Sequence, residues 1–144
     1  MRFIVFSSLV LLLVLGSCDF GLSQIYLLVS AATHNGDFDT NNDGNARPEL
    51  DAYAQNVYDT YYSFLNLSDV HAFISVNNLD EIRDMPNLYG VPENVPVVTE
   101  NETVIADNWA DLLDGSIDNS LWDGGINIFQ YWTGSYESGA LYPN

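Results

Sequence analysis

The sequence predicts an α+β domain, in which a mixed sheet packs against two or three helices. Short apolar runs rich in strand-forming residues occur at residues 25–32 and 70–76, each bounded by polar residues. Residues 47–65 instead space their apolar side chains by three and four, which is typical of an amphipathic helix. No internal repeat is evident, and the chain has the length of one ordinary domain.

The first element is an N-terminal targeting segment. Arg2 precedes an uncharged run, residues 3–15, which has the length of a signal-peptide hydrophobic region and is short for a membrane span. Ordinary signal peptidase needs a small residue three positions before the cut, and Leu15 does not suit a cut after Ser17. The tetrapeptide Leu15-Gly16-Ser17-Cys18 instead resembles the lipobox of bacterial lipoproteins, whose cysteine is lipidated and becomes the first residue.

This resemblance predicts the organisation of the chain. Residues 1–17 are expected to be a lipoprotein signal peptide, residues 18–24 a lipidated tether and residues 25–144 the folded domain. Cys18, the only cysteine, is the expected lipidation site, and the protein is expected to be exported and lipid-anchored at the cell envelope or surface. The alternatives are a free thiol in a conventionally secreted protein, or a secreted glycoprotein using the sequons at Asn66 and Asn101.

Composition excludes several classes of partner. The chain carries 20 acidic residues, three arginines and no lysine, which gives a formal charge of −17. Removal of residues 1–17 also removes Arg2 and changes the formal charge to −18. Binding to nucleic acid, heparin-like glycans or anionic headgroups depends on Lys and Arg, so these partners are excluded. The expected partners are the membrane, through the lipid on Cys18, and a host or envelope protein or a glycan.

The remaining elements follow in chain order. Residues 33–46 are rich in Asn, Asp and Gly and are predicted to be a loop. In the helix that follows, the residues expected to face the core are Leu50, Ala54, Val57, Tyr61 and Phe64. Beyond the strand at 70–76, we expect a helical turn at 78–84 and an irregular segment at 85–96. A hairpin at 97–106, turning near Glu100, is expected to precede a helix at 107–115 capped by Asp107. The last predicted element is a strand at 126–134.

Three short motifs then carry a family resemblance: residues 72–75 (AFIS), residues 107–112 (DNWADL) with Gly115, and residues 132–134 (WTG) followed by Gly139. Their order is similar to the endostatin-like, C-type-lectin-related domain carried by uncharacterised bacterial lipoproteins, over residues 25–144. The resemblance implies a C-type-lectin-like mixed sheet and a non-catalytic binding or adhesion module of unknown ligand.

The chain departs from that family in two ways. The family has a cysteine in the first helix, near Tyr53 or Ala54, which pairs with one near the C-terminus, and neither is present here. The family also continues beyond its Trp-x-Gly segment through a Cys-x-x-Trp-like stretch. The closing strands are therefore expected to be missing, which leaves a truncated remnant without independent function as one alternative. The family's heparin and zinc sites do not transfer, because their arginines and histidines are absent.

Two segments are candidates for cation or sugar binding. Asp39, Asn41 and Asp43, with Gly44 at the sixth position, match the first half of an EF-hand loop, but Leu50 occupies the twelfth position, where a bidentate Glu is needed. Ca²⁺ is the one candidate cofactor, and the competing interpretation is that these residues form turns and cap the helix.

The second candidate is a cation-dependent sugar site of the C-type-lectin kind, built from Glu93, Asn94, Asp107 and Asn108. It competes with loop and helix-cap roles for the same residues. An enzyme is not expected, because the two histidines, His34 and His71, are far apart in sequence and no catalytic motif accompanies them.

Overall fold

The computed structural model describes residues 11–17, 23–30, 38–41, 43–126 and 135–141, and residues 11–17 are described by their backbone alone. The prediction of an α+β fold is confirmed. The strands and helices are β1 (Leu11–Ser17), β2 (Ser23–Val29), α1 (Arg47–Tyr61), β3 (Ser68–Ala72), α2 (Met85–Tyr89), β4 (Val97–Val98), β5 (Val104–Ala106) and α3 (Trp109–Leu112). Short 3₁₀ turns at Ser63–Leu65 and Ile82–Asp84 follow α1 and precede α2.

The five strands form one mixed sheet in the order β3-β1-β2-β4-β5. Strand β1 is antiparallel to both of its neighbours, and Leu13 pairs with Leu27 on one side and with His71 on the other. Strand β2 is parallel to β4, which turns back antiparallel to β5. Strand β1 comes from the segment that the sequence predicts to be removed as a signal peptide. The sheet of the intact chain thus contains a strand that a processed chain would lack.

Alternation along β2 divides the core into two apolar layers. Tyr26 and Leu28 belong to a cluster that includes the buried face of α1, which we call the helix layer. Ile25 and Leu27 belong to a second cluster with α2 and Trp109, which we call the opposite layer. Because successive strand residues point to opposite faces, both faces of the sheet are covered at β2.

Helix α1 confirms the predicted amphipathic helix, but its last turn differs from the prediction. Leu50, Ala54 and Val57 are buried as expected. Tyr61 and Phe64 are 56% and 72% exposed, so their assignment to the core was wrong. The helix ends at Tyr61, and Tyr58 takes the last buried position instead.

The segment after β3 also differs from the prediction. Strand β3 ends at Ala72, before the predicted end at residue 76. The helical turn predicted at 78–84 is confirmed only at Ile82–Asp84, as a 3₁₀ turn that continues into α2. The prediction of an irregular segment at 85–96 was wrong for residues 85–89, because Pro86 lies in the first turn of α2, where a missing N–H costs nothing, and it is confirmed for residues 90–96. Gly90, with φ at 72°, ends the helix in the left-handed conformation.

The hairpin and the last helix confirm their predicted positions. Strands β4 and β5 flank a turn at Glu100 and Asn101. Helix α3 is capped by Asn108, whose Oδ1 accepts the Asp111 N–H at 3.1 Å, so the prediction of Asp107 as the cap was wrong by one residue. The predicted strand at 126–134 lies outside the described residues beyond Ile126.

The described C-terminal segment, residues 135–141, docks against the loop between β3 and α2 through two buried polar side chains. Ser75 Oγ donates to the Gly139 carbonyl at 3.1 Å and accepts the Ile82 N–H at 2.9 Å. Glu81 Oε1 accepts the Leu141 N–H at 3.0 Å. Gly139 has φ at +72°, and a Cβ there would lie 2.9 Å from the backbone nitrogen of Arg83, so this contact requires glycine.

Helices long and apolar enough to cross a bilayer are not found among the described residues.

Candidate functional site

The predicted calcium loop uses its carboxylates to hold its own backbone. Asp39 accepts the Asp43 N–H at 3.1 Å through Oδ1 and the Gly44 N–H at 3.0 Å through Oδ2. Asp43 Oδ1 accepts the Asn45 N–H at 2.8 Å, and Asn41 Oδ1 accepts the Asp43 N–H at 2.9 Å. These bonds are those of a self-supporting turn. Leu50, at the twelfth position, is 2% exposed in the helix layer and supplies no oxygen.

The four residues of the predicted sugar site lie on two adjacent loops. The Trp109 N–H donates to the Glu93 carbonyl at 3.1 Å, which brings residues 93–94 beside residues 107–108. Asn108 Oδ1 is engaged as the cap of α3, while Glu93, Asn94 and Asp107 are exposed. Within the described residues, no three His, Cys, Asp or Glu side chains are grouped so that they could hold a metal ion. Cys18, the predicted lipidation site, lies outside the described residues.

A buried arginine, which the sequence analysis did not single out, organises a polar cluster at the start of α1. Arg47 is 6% exposed at the start of α1. Its Nε and Nη2 donate to the two carboxylate oxygens of Asp80, each at 2.8 Å. Nη1 donates to the Ala72 carbonyl at 2.8 Å, and Nη2 donates to the Ile74 carbonyl at 2.7 Å. The guanidinium therefore joins α1, the end of β3 and the loop at Asp80.

Electrostatics inside this cluster favour the charged guanidinium. Burial alone would lower the pKa of Arg47, but the hydrogen bonds and the negative charge of Asp80 raise it above the usual value. Tyr89 lies against the same group, with its ring centroid 5.2 Å from the guanidinium carbon, and its hydroxyl donates to Asp80 Oδ2 at 2.9 Å. Burial, opposed by the charge of Arg47 and assisted by Asp80, raises the pKa of Tyr89 to about 12.

An Asp–His pair borders the arginine. Asp51 Oδ2 lies 3.2 Å from His71 Nδ1, and Asp51 Oδ1 accepts the Ala72 N–H at 2.9 Å. The imidazole of His71 packs on the ring of Tyr89 with centroids 4.8 Å apart. An aspartate that orients a histidine occurs in many catalytic sites. Here the same carboxylate also satisfies the N–H of Ala72, and Arg47 satisfies its carbonyl, so the cluster caps the end of edge strand β3.

The position of Arg47 in the sequence already indicates a buried charge. Arg47 lies three residues before Leu50 and seven before Ala54, on the face of the helix that the apolar spacing assigns to the core. An arginine on a core-facing position requires a buried partner. The identity of that partner, Asp80, depends on tertiary structure and could not be read from the sequence.

An apolar cavity of about 360 Å³ lies on the side of the sheet away from α1. Its wall includes the opposite-layer residues Leu27, Phe73 and Ile82, and its rim includes Tyr136, Glu137 and further residues of 135–141. This volume is in the range of small-molecule sites. The cavity contains none of the residues that the sequence analysis proposed as ligands.

Comparison with protein-family models, with curated proteins and with solved structures finds no match to this chain.

Proposed function

We propose that this protein is an exported lipoprotein, anchored at the cell envelope or surface through Cys18, whose acidic domain is a non-catalytic binding or adhesion module. The observation that carries the proposal is the tetrapeptide Leu15-Gly16-Ser17-Cys18 at the end of an uncharged apolar run. The ordered motifs that resemble the endostatin-like, C-type-lectin-related domain support a binding role. The formal charge of −18 after processing supports a partner that is not a polyanion.

The use of the buried charged groups also supports binding rather than catalysis. Arg47 and Asp51 satisfy the carbonyl and N–H of Ala72, and Asp80 completes the partners of Arg47. Each group is fixed by structural bonds, whereas a general acid or base must exchange a proton with a substrate. The imidazole of His71, beside them, is packed on a tyrosine ring.

The anchor is tested by metabolic labelling with a radioactive fatty acid in a bacterial host. Wild-type protein is expected to incorporate label that resists hydroxylamine at neutral pH, because this treatment cleaves thioesters, whereas the lipid is held by a thioether, oxygen esters and an amide. Cys18→Ala is expected to lose the label. The matched control carries Cys18→Ala together with Ser23→Cys, which keeps one thiol close to the original position but outside the tetrapeptide. Equal labelling of the wild type and of Cys18→Ala would overturn the anchor.

Calcium-dependent carbohydrate binding is the alternative that must be separated from this proposal. It would use Asp39, Asn41 and Asp43, or the loops at 93–94 and 107–108. Since Asp39 already accepts two backbone N–H groups and Leu50 is buried, millimolar Ca²⁺ is expected to leave the melting temperature unchanged. A rise that is abolished by Asp39→Asn would favour the calcium site instead.

A further inference from the structure

The intact chain fills the middle of its sheet with residues from the predicted signal peptide. Strand β1 pairs with β2 from Leu11 to Ser17 and with β3 from Leu12 to Leu15. In the order β3-β1-β2-β4-β5, strand β3 is hydrogen-bonded to the rest of the sheet through β1. We call the space between Ser23–Val29 and Ser68–Ala72 the strand slot.

The walls of the strand slot specify what can fill it. On β2, Tyr26 and Leu28 belong to the helix layer, while Ile25 and Leu27 belong to the opposite layer. On β3, Val70 and Ala72 are buried in the helix layer. On the other face of β3, His71 is half-buried and lies 3.2 Å from Asp51. A strand in the slot therefore has the helix layer on one face along both walls and the opposite layer on its other face along β2, so its side chains beside β2 must be apolar on both faces. The first five residues of β1, residues 11–15, meet this requirement, and the strand ends in the small residues Gly16 and Ser17.

Backbone groups add a second requirement. An empty slot would leave N–H and C=O groups of β2 and β3 without strand partners, and such groups are almost always paired when buried. A disordered loop or a side chain cannot replace a regular ladder of this length. The occupant must be an extended segment of about seven residues that runs antiparallel to both walls, as β1 does.

We propose that removal of residues 1–17 opens the strand slot, and that the processed protein binds an uncharged, apolar β-strand of a different envelope polypeptide there. This inference rests on the proposed function, because lipoprotein processing at Cys18 is the step that removes β1. It identifies the ligand of the binding module as an extended segment with the chemistry of β1. Strand addition of this kind draws its affinity from main-chain hydrogen bonds and its specificity from alternate side chains.

Charge and position favour a different polypeptide over a second copy of this chain. Two domains of formal charge −18 repel each other, whereas an uncharged strand brings no such cost. The slot begins at Ser23, five residues after Cys18, so a lipid on that cysteine would hold it beside the membrane. A partner in the same envelope is the one within reach.

The test uses the full chain with Cys18→Ser and a specific protease site introduced between residues 18 and 22. Cutting this site separates β1 from the rest of the protein, as processing would. The probe is a fluorescent peptide of residues 9–17 with added N-terminal lysines for solubility. Its matched control carries Leu13→Pro, which removes the central N–H and cannot complete the ladder. The cut protein is expected to exchange its own strand for the probe and to bind it at least tenfold more tightly than the proline peptide.

Three results would overturn the inference. The first is equal binding of the two peptides, which would show unspecific adsorption of an apolar sequence. The second is a cut protein that loses residues 1–17 and keeps its melting temperature while capturing no peptide. The third is a defined oligomer in sedimentation that excludes the probe, since the occupant would then be a second copy.

If loss of β1 unfolds the cut protein, cutting in an excess of the probe still decides the question. Native circular dichroism with bound probe supports the strand slot, and unfolding despite the probe refutes it. Failure of fatty-acid labelling would remove the anchor without affecting peptide capture, so the two proposals fail separately.

Discussion

Replacement of Arg47 by methionine is the sharpest perturbation of the described fold. Arg47→Met keeps a long flexible side chain and removes the charge and all five donors. In the structure these donors hold both oxygens of Asp80 and the carbonyls of Ala72 and Ile74 at 2.7 to 2.8 Å. Methionine therefore removes the ion-pair partner of Asp80 and one hydrogen bond from each of the two carbonyls, although the Ala72 carbonyl still accepts the Ile74 N–H at 3.0 Å.

The cost follows from what remains buried. Removing one member of a buried ion pair costs about 3–5 kcal/mol, because the other charge is left uncompensated. The side chain of Asp80 is 13% exposed and keeps its bond from Tyr89, which limits the penalty. The Ile74 carbonyl would add about 1–3 kcal/mol if nothing relaxed, whereas the Ala72 carbonyl keeps the Ile74 N–H and adds less. Since neighbouring losses do not add, we expect a total of about 3–5 kcal/mol.

The assay is urea unfolding followed by tryptophan fluorescence and far-ultraviolet circular dichroism. Arg47→Lys is the matched variant, because it keeps the charge but cannot form the planar two-point contact, and we expect it to recover only part of the loss. In an Asp80→Leu background, Arg47→Met is expected to cost much less. A loss below about 1 kcal/mol, or an equal loss in both backgrounds, would refute the reasoning from the ion pair. A broad, non-cooperative transition of the wild type would instead support the truncated remnant.

Three further predictions test local features. Because Asn108 caps α3, Asn108→Ala is expected to lower the free energy of unfolding, measured by urea unfolding, by about 1 kcal/mol, and Asp107→Ala by less than about 0.5 kcal/mol. The reverse order would contradict the assignment of Asn108 as the cap. Gly139 and Gly44 both have a positive φ, but a Cβ would contact backbone only at Gly139. We therefore expect Gly139→Ala to lower the free energy of unfolding, measured by thermal melts, by at least about 1 kcal/mol more than Gly44→Ala. Equal costs would disprove the docking of residues 135–141. The pKa of Tyr89 is about 12 in the folded protein and about 10 ordinarily, so the stability that its protonated hydroxyl contributes is complete below pH 10 and is lost as the pH rises to 12. Tyr89→Phe is therefore expected to unfold with a smaller dependence of stability on pH in this range. A pH dependence equal to that of the wild type would contradict this.

Sequence reasoning located most elements of the described fold and misjudged where several end. The apolar spacing of Leu50, Ala54 and Val57 was enough to place α1, since period and burial agree there. Tyr61 and Phe64 continue that period, yet they are exposed. A periodic pattern carries no information about where the covering layer ends, because that boundary is set by the sheet below it.

The candidate sites show a related limit. Both a turn and a cation-binding loop are rich in Asp and Asn, as the segment with Asp39, Asn41 and Asp43 is. The two interpretations differ only in whether the side-chain oxygens point to the backbone of the loop, as they do here, or to an ion. The Arg47 cluster was detectable as a buried charge but not as a network, because its partners are 25 to 33 residues away along the chain. Local patterns thus identify which groups need a partner and leave the partner to the fold.

The apolar run at the N-terminus is the clearest case in which a local sequence pattern fits two different structures. A signal-peptide hydrophobic region must be uncharged and apolar on every side, because a lipid environment surrounds it. A strand placed between the helix layer and the opposite layer must be apolar on both faces, for the same reason of solvation. Residues 11–15 satisfy both demands, so periodicity cannot distinguish an exported leader from a central strand. The two roles exclude each other in one molecule at one time, since cleavage before Cys18 removes the strand. Protein that carries residues 1–17 is therefore expected to have a complete sheet, whereas the proposed lipid-anchored form would need another strand to restore it.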